Sequence, residues 1–298
     1  MTEVAVQRET RHGDGSASGP ATVAGRSRVR DLLRDPTSVA GLVIISIFVL
    51  AAVLAPLVSP YDPLEIAGAG RQGPSRAHPL GTDALGRDFL SRLVHGARLS
   101  LGSAFVAAVL VMTVGVVFGT IAGYYGGLLD GIIMRVVDVV LAFPGFILAL
   151  AIAGLFRPGL LTVMIGLVTV WWVGYARIIR SLVLAVRERD FIEGARSLGA
   201  GDLRIIVRHV LPHVLPPVIV LITLEMGGLV LAISGLNFLG LGAQPPTPEW
   251  GAMLNEGRGY FFSDPRMIFA PGIAITLAVL GFNLVGDGLR DVLDPKLR

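Results

Sequence analysis

Six long apolar stretches separated by shorter polar ones set the plan of this chain. They run approximately over Val39 to Leu57, Leu99 to Ala122, Ile132 to Leu155, Leu160 to Ile179, Val214 to Leu236 and Ile268 to Val285. Each is about 20 residues long, the length at which a helix crosses about 30 Å of hydrocarbon. Backbone groups in lipid find no water to bond, so helices are what such runs predict. The expected fold is all-α and integral to the membrane, with six transmembrane helices.

One polar stretch stands out between the fourth and fifth runs: Glu193 to Pro212 reads EGARSLGAGDLRIIVRHVLP. Phe191, Ala195 and Leu198 recur at helical spacing, which predicts one apolar stripe and leaves Glu193 and Arg196 on another face. Gly199 supplies a left-handed position that ends the first helix, and Asp202 is the expected N-cap of a second. In that second helix Leu203, Ile206, Val207 and Val210 form the predicted stripe, with Arg204 and Arg208 turned away from it. Pro212, followed by Pro216 and Pro217, is expected to close this element and start the next. A helix, corner and helix with a basic outer face, tethered at both ends to membrane segments, is built to dock on a partner.

Composition narrows the classes. With 53% hydrophobic and 16% charged residues, the chain holds more apolar surface than a soluble core of 298 residues can bury. It has no cysteine, which excludes disulfides and thiolate metal sites. Lys296 is its only lysine, and no G-x4-G-K-[ST] can be written, so this chain does not bind ATP through a P-loop. Residues 1 to about 25 lack periodicity and a signal-type apolar core, and read as a disordered tail. Arg26, Arg28, Arg30 and Arg34 precede the first run, and most of the 25 Lys and Arg residues fall on the same side of the six-span plan. That asymmetry predicts cytosolic N- and C-termini and places the Glu193 stretch in the cytosol. The expected divisions are a tail over 1–34, a first helix with its outer loop over 35–98, and a five-helix core over 99–298 containing the docking segment 187–213.

Several side chains are candidates for chemistry. Asp138 lies near the inner part of the third run; it is read either as a gate or substrate contact, or as the partner of Arg135 or another inner arginine. Pro144, between Phe143 and Gly145, is expected to kink that run near its middle. Glu225 sits inside the fifth run beside the close-packing pair Gly227 and Gly228, facing a substrate or a partner subunit. His78, Asp83, Asp88 and His95 show no metal-ligand spacing and read as caps and ion pairs, with Asp88 capping the helix into the second run. His209 and His213 have an H-x3-H spacing, but Pro212 intervenes and no glutamate follows the first histidine, so a zinc hydrolase site is not indicated. Tyr124 and Tyr125 in a glycine-rich turn suit the headgroup layer. Asn237 to Gly251 is expected to be a folded surface loop, and Asp287, Arg290 and Asp291 to pair as a latch at the inner boundary.

Four strings also carry a resemblance. Glu193, Gly194 and Ala195, then three residues, Gly199, then nine, then His209, Val210, Leu211 and Pro212 resemble the EAA signature, E-A-A-x3-G-x9-I-x-L-P, of permease subunits in binding-protein-dependent ABC importers. Gly194 stands for the usual Ala and His209 for the usual Ile. HPLGTDALGRDFLSRLVHGARLSL from His78, NFLGLGAQPPTPEWG from Asn237, and the tail from Phe282 to Asp291 with Asp294 and Pro295 resemble the C-type permease of dipeptide, oligopeptide and nickel importers. The resemblance spans roughly Asp35 to Arg298 and implies a type I ABC permease fold. It further implies that Glu193, Gly194, Ala195, Arg196, Ser197, Gly199, His209, Leu211 and Pro212 form a coupling segment seated on an ATPase. Implied partners are a homologous B-type permease, two cytosolic ATPase subunits or domains, an outer solute-binding protein and membrane lipid, with no nucleic acid. ATP and Mg would be used by the ATPases, leaving this chain without a cofactor or a catalytic role, in a bacterial cytoplasmic (inner) membrane. The implied cargo is di- or oligopeptide, with nickel or another small solute as the alternative.

Two other classes were weighed on the residues. A self-contained secondary transporter or channel predicts inverted repeats, none of which is visible, and leaves the Glu193 stretch without a purpose. A membrane-embedded enzyme built on Ser234 would need a histidine within a span, and no predicted run contains one.

Overall fold

The computed structural model describes residues 32–293, and among them there is no strand, only two isolated bridges in the loop before the second span. The expectations for the tail and for Asp294 and Pro295 lie largely outside the described residues. Helix α1, Pro36–Val53, starts where the Asp35 carboxylate accepts the Ser38 backbone N–H at 2.8 Å, with Pro36 in the first turn. It stops short of the expected Leu57: Leu54 interrupts it, and a one-turn α2, Ala55–Val58, follows. Helix α3, Phe89–Tyr125, begins well before Leu99 and is capped by Asp88 as predicted, which accepts the Ser91 N–H at 2.8 Å and its hydroxyl at 2.7 Å.

The third run is not one kinked helix. It is α4, Gly127–Leu141, and α5, Gly145–Gly154, set at 87° to each other. Pro144 has no N–H to give and stands as the residue before α5, so the chain leaves the helix altogether at Ala142 and Phe143 instead of bending through it. Helix α6, Leu160–Arg187, packs along α3 over its length. Glycines spaced by four on α3 allow this approach: a Cβ at Gly119 would lie 2.7 Å from the Ala176 carbonyl oxygen, and one at Gly123 would lie 2.8 Å from that of Arg180.

After α7, Asp190–Ser197, and the short α8, Asp202–Ile205, a π-helical turn over Ile206–Val210 leads directly into α9, Leu211–Phe238. Pro212 therefore does not close an element, and neither Pro216 nor Pro217 opens one: the backbone stays helical from Asp202 to Phe238. The wider turn accounts for this, since the Leu211 N–H bonds the Ile206 oxygen five residues back and the proline follows where the ladder is already irregular. Helix α10, Trp250–Gly257, and α11, Arg266–Leu293, complete the chain. Five helices are long and apolar enough to span a membrane, and the bent α4 and α5 pair brings the number to six when counted as one broken span.

A buried polar cap closes the end of the bundle where α3 begins. Asp83 accepts Arg87 at 2.6 Å and lies 3.3 Å from the Arg92 Nε without a hydrogen bond to it, while Glu256 accepts Arg92 at 2.8 Å and Arg87 at 3.1 Å. His78 meets Asp88 at 2.9 Å, and the His95 ring lies 3.0 Å from the Ser91 carbonyl oxygen, so all four candidates are spent on caps and pairs. The string after Asn237 departs from a surface loop at its far end. Trp250 and Glu249 are buried against α3: the Ser100 hydroxyl donates to Glu249 at 2.7 Å, and the Trp250 indole donates to the Leu93 carbonyl at 2.9 Å. A Cβ at Gly251 would lie 2.2 Å from the Ser234 carbonyl oxygen, which is why glycine stands where the chain dives inward. Burial pushes the Glu249 carboxyl up to about 7, against the Ser100 and Ala252 bonds that oppose the shift. The expected latch is not formed either: among the described residues Asp287, Arg290 and Asp291 make no ion pair, and α11 is instead held by close packing of Gly288 on Ser38 of α1.

Candidate coupling and pathway sites

The polar stretch folds as a helix, a corner and a helix. Gly199 takes φ of +81°, the left-handed position expected of it. Neither predicted stripe is buried whole: Val210 of the second is, and Ala195 and Ile206 are half-buried against the same core, but the other members stand open. Ile192, Ile205 and Val210 are fully buried against Ile179, Val183 and Val214, whereas Leu198 is 90% exposed, Leu203 75% exposed, and Phe191 and Val207 also stand open. Local periodicity located the apolar residues but not the side that the bundle would claim. Ile205 and Val210 are five apart, a spacing that shares a face only because the π turn adds a residue to that turn. The outcome is an outward apolar surface beside exposed Glu193 and Arg196 at the margin of a transmembrane bundle.

Asp202 is not the cap. Gly201 takes that position, and the Asp202 carboxylate accepts the Tyr124 hydroxyl at 2.7 Å. Tyr124 is correspondingly buried in the bundle, while its neighbour Tyr125 is exposed. On the other side of the stretch, the Arg187 guanidinium donates to the Gly123 and Tyr124 carbonyls at 3.3 and 3.0 Å, closing the end of α3. The His213 ring stacks on Phe191 with centroids 5.0 Å apart and lies 2.7 Å from the His209 carbonyl oxygen, so the H-x3-H pair is used for packing and turn closure. The stretch is thereby fastened to α3, α6 and α9 together. Sequence reasoning missed Tyr124, Arg187 and Asp202 as fasteners, because each pairs across 60 residues or more and no local spacing announces that.

Of the signature residues, Glu193, Gly194, Arg196, Ser197, Gly199 and Pro212 are exposed, while Ala195, His209 and Leu211 are half-buried. They form two groups on either side of the corner.

The third candidate set divides. A cleft of about 490 Å³ opens where α4 breaks into α5, lined by Val140, Phe143, Trp171, Tyr175, Leu224 and Glu225 among others. Glu225 is 8% exposed and is the one carboxylate in this wall. Pro144 shapes the cleft through the break it makes. Asp138 does not line it: it is paired with Arg177 of α6, the inner arginine reading, and not with Arg135. Asp130 pairs likewise with Arg180 at 2.5 Å. Arg177 and Arg180 thus hold α4, and α6 continues past them to Arg187.

Residues 115–298 match the family described as binding-protein-dependent transport system inner membrane component, and residues 25–74 match the N-terminal TM domain of oligopeptide transport permease C. The chain belongs to this permease family. It is 44% identical to a dipeptide transport system permease protein DppC of Alkalihalophilus pseudofirmus, over 92% of this chain and 90% of that one. It is 42% identical to a glutathione transport system permease protein GsiD of Pectobacterium atrosepticum, over 90% of each. It is also 44% identical to the nickel transport system permease protein NikC of Escherichia coli K12, over 86% of this chain and 93% of that one. Among solved structures, a chain of the MetNI methionine ABC transporter in an inward-facing conformation superimposes with a TM-score of 0.55 at 19% identity, covering 69% of this permease and 98% of that chain. That likeness carries the type I ABC importer permease fold. The permease is a multi-pass membrane subunit of an ABC importer, and the secondary-transporter and membrane-enzyme readings fall away.

Proposed function

We propose that this permease carries di- or oligopeptides into the cell, working with a homologous second permease, two cytosolic ATPase subunits or domains and an outer solute-binding protein. Both termini then lie in the cytosol, in a bacterial inner membrane. Dipeptide and glutathione are the cargoes named for two of the relatives, and both are peptides; nickel, named for the third, is the competing cargo.

The observation that carries the coupling role is the exposed apolar surface around the Gly199 corner, Leu198 and Leu203, beside Glu193 of the Asp190–Ser197 helix, on a stretch bolted to three transmembrane helices. An exposed Leu198 and Leu203 on a rigid lever fit a groove on an ATPase better than they fit water. ATP-driven closure of the ATPases pushes this lever, and the Tyr124 to Asp202 bond, the Arg187 clasp and the unbroken helix into α9 pass the movement to the spans. ATP and Mg act on the ATPases, and this chain supplies no catalytic group. Glu193 anchors the contact, Gly199 sets the corner, and Arg196, Ser197 and Gly194 complete the docking face, with Ala195, His209, Leu211 and Pro212 holding its shape. The α4 break at Pro144 and Glu225 in the adjoining cleft form this subunit's wall of the path.

The test is Glu193→Arg in the assembled importer, reconstituted with its binding protein. ATP hydrolysis that no longer drives uptake, with normal membrane insertion, is the expected result; fully coupled uptake would remove the coupling assignment. Competing labelled dipeptide against nickel in the same liposomes decides the cargo.

A further inference from the structure

A second groove lies on the periphery of the bundle, away from the cleft and the docking face. It has a volume of about 470 Å³, within the range of about 300–1,000 Å³ typical of ligand pockets. Its walls are α1, through Val49 and Val53, and α3, through Leu101 and Phe105; Met226 of α9 and Phe282 of α11 contribute to its depth. Arg98 is the single charged residue on its lining. That arginine is exposed and, among the described residues, makes no ion pair or hydrogen bond. It stands immediately before the apolar run that opens at Leu99, the place along the chain where a headgroup-level charge is expected.

From Arg98 the groove runs down α3 to Phe105, about two turns or about 10 Å, within a hydrocarbon half-thickness of about 15 Å. One turn below Arg98, Gly102 leaves the groove open: an added Cβ there would meet nothing within 4 Å. A free guanidinium at the headgroup level over an apolar channel is complementary to one kind of molecule abundant there. We propose that this groove binds an anionic phospholipid, with the phosphodiester on Arg98 and one acyl chain between α1 and α3.

The neutral alternative is an annular position that any lipid fills, with Arg98 merely reaching for water. A protein alternative is a helix of the second permease lying in the groove. The complete importer, purified in detergent, is incubated with phosphatidylglycerol and phosphatidylcholine in equal amounts, and retained lipid is counted by native mass spectrometry. The wild type is expected to keep phosphatidylglycerol with about fivefold preference, the advantage of one basic residue near the membrane surface. Arg98→Gln should retain a lipid but lose the preference. Gly102→Phe, which fills the groove without touching the arginine, should lose the retained lipid; its ATPase rate with binding protein reports that the complex is intact, and Gly102→Leu replaces it if that rate is lost. Equal retention of the two lipids by the wild type, or an unchanged preference in Arg98→Gln, overturns the proposal. So does cross-linking of Gly102→Cys to the second permease, which would show that protein fills the groove.

Discussion

The two ends of this permease are built on opposite principles. At the end where α3 begins, Asp83, Arg87, Arg92 and Glu256 form a network of which all but Glu256 are almost wholly buried, and Trp250 and Glu249 are driven into the bundle beside it. At the end that carries the docking face, the ion pair between Asp138 and Arg177 is about half exposed on both sides, and large apolar side chains are left uncovered. Buried charges demand their partners, because an orphaned one in a low-dielectric interior has nowhere to turn; exposed pairs are screened and exchange freely with water. One end is a fixed frame, and the other leaves apolar surface open, as the coupling role proposed for it requires.

The contrast is broken most severely at Arg92. Arg92→Leu strips Asp83 and Glu256 of a buried cation and should destabilise the permease by about 3–5 kcal/mol. A large fall in the thermal unfolding midpoint in detergent is the expected reading, and a shift no greater than that of a surface variant would show that the frame does not depend on the network.

Glu249 gives the next effect and a pH signature. Its carboxyl rises from 4.5 in the unfolded chain to about 7 in the fold, because burial penalises the charged form. Between those values the folded state holds a proton that the unfolded state has released, so stability falls as pH rises through this window and the full penalty is present above about 7. Glu249→Gln removes it and should gain on the order of 3 kcal/mol at about pH 8 with little change at about pH 4. Unfolding curves at several pH values check this; parallel curves for the two proteins would refute it.

At the docking end, Tyr124→Phe deletes one hydrogen bond to Asp202 and should cost about 1 kcal/mol of stability. Its larger reading is functional, if the proposed coupling holds: more ATP hydrolysed per molecule of cargo taken up, with docking itself intact. An unchanged ratio would mean that Arg187 and α9 carry the movement without it. Smallest of all, Asp138→Asn should change stability by less than about 1 kcal/mol, since its pair with Arg177 is exposed. A loss as large as that of Arg92→Leu would erase the distinction between the two ends.

What was legible in the sequence follows the reach of each interaction. The long apolar helices, the Asp88 cap and the left-handed Gly199 are local consequences of composition and spacing, and all are present: five such helices, with the bent α4 and α5 pair where the remaining run was expected. The docking stretch was located by its polarity and by the spacing of Glu193, Gly199 and Pro212, but not the orientation of its helices: Phe191 and Leu198 were expected inside, and Ile192 took that place. Helical period identifies a stripe only when one face is apolar. Here both faces are, one for the bundle and one left open, so periodicity cannot choose. Pro144 was recognised as a disturbance, yet whether a proline bends a helix or ends it is decided by the neighbours that re-bond the freed carbonyls, and α4 and α5 lack them. Glu256 was not singled out at all, since nothing near it in sequence foretells two arginines from α3 and the preceding loop.

The π turn at Ile206–Val210 also gives the junction between the outward face and α9 a tolerance of one residue in length. It stores one residue beyond what an α-helix would use, at the junction between the docking stretch and α9. Deleting a single residue there would let the turn close as ordinary α-helix while the segments on either side keep nearly the same rotational setting, since about five residues of π turn sweep about the same angle as about four of α-helix. A length change of one residue would thus leave both the bundle and the outward face where they stand: the junction is a slack link, separate from the hydrophobic lengths that hold the protein in its membrane.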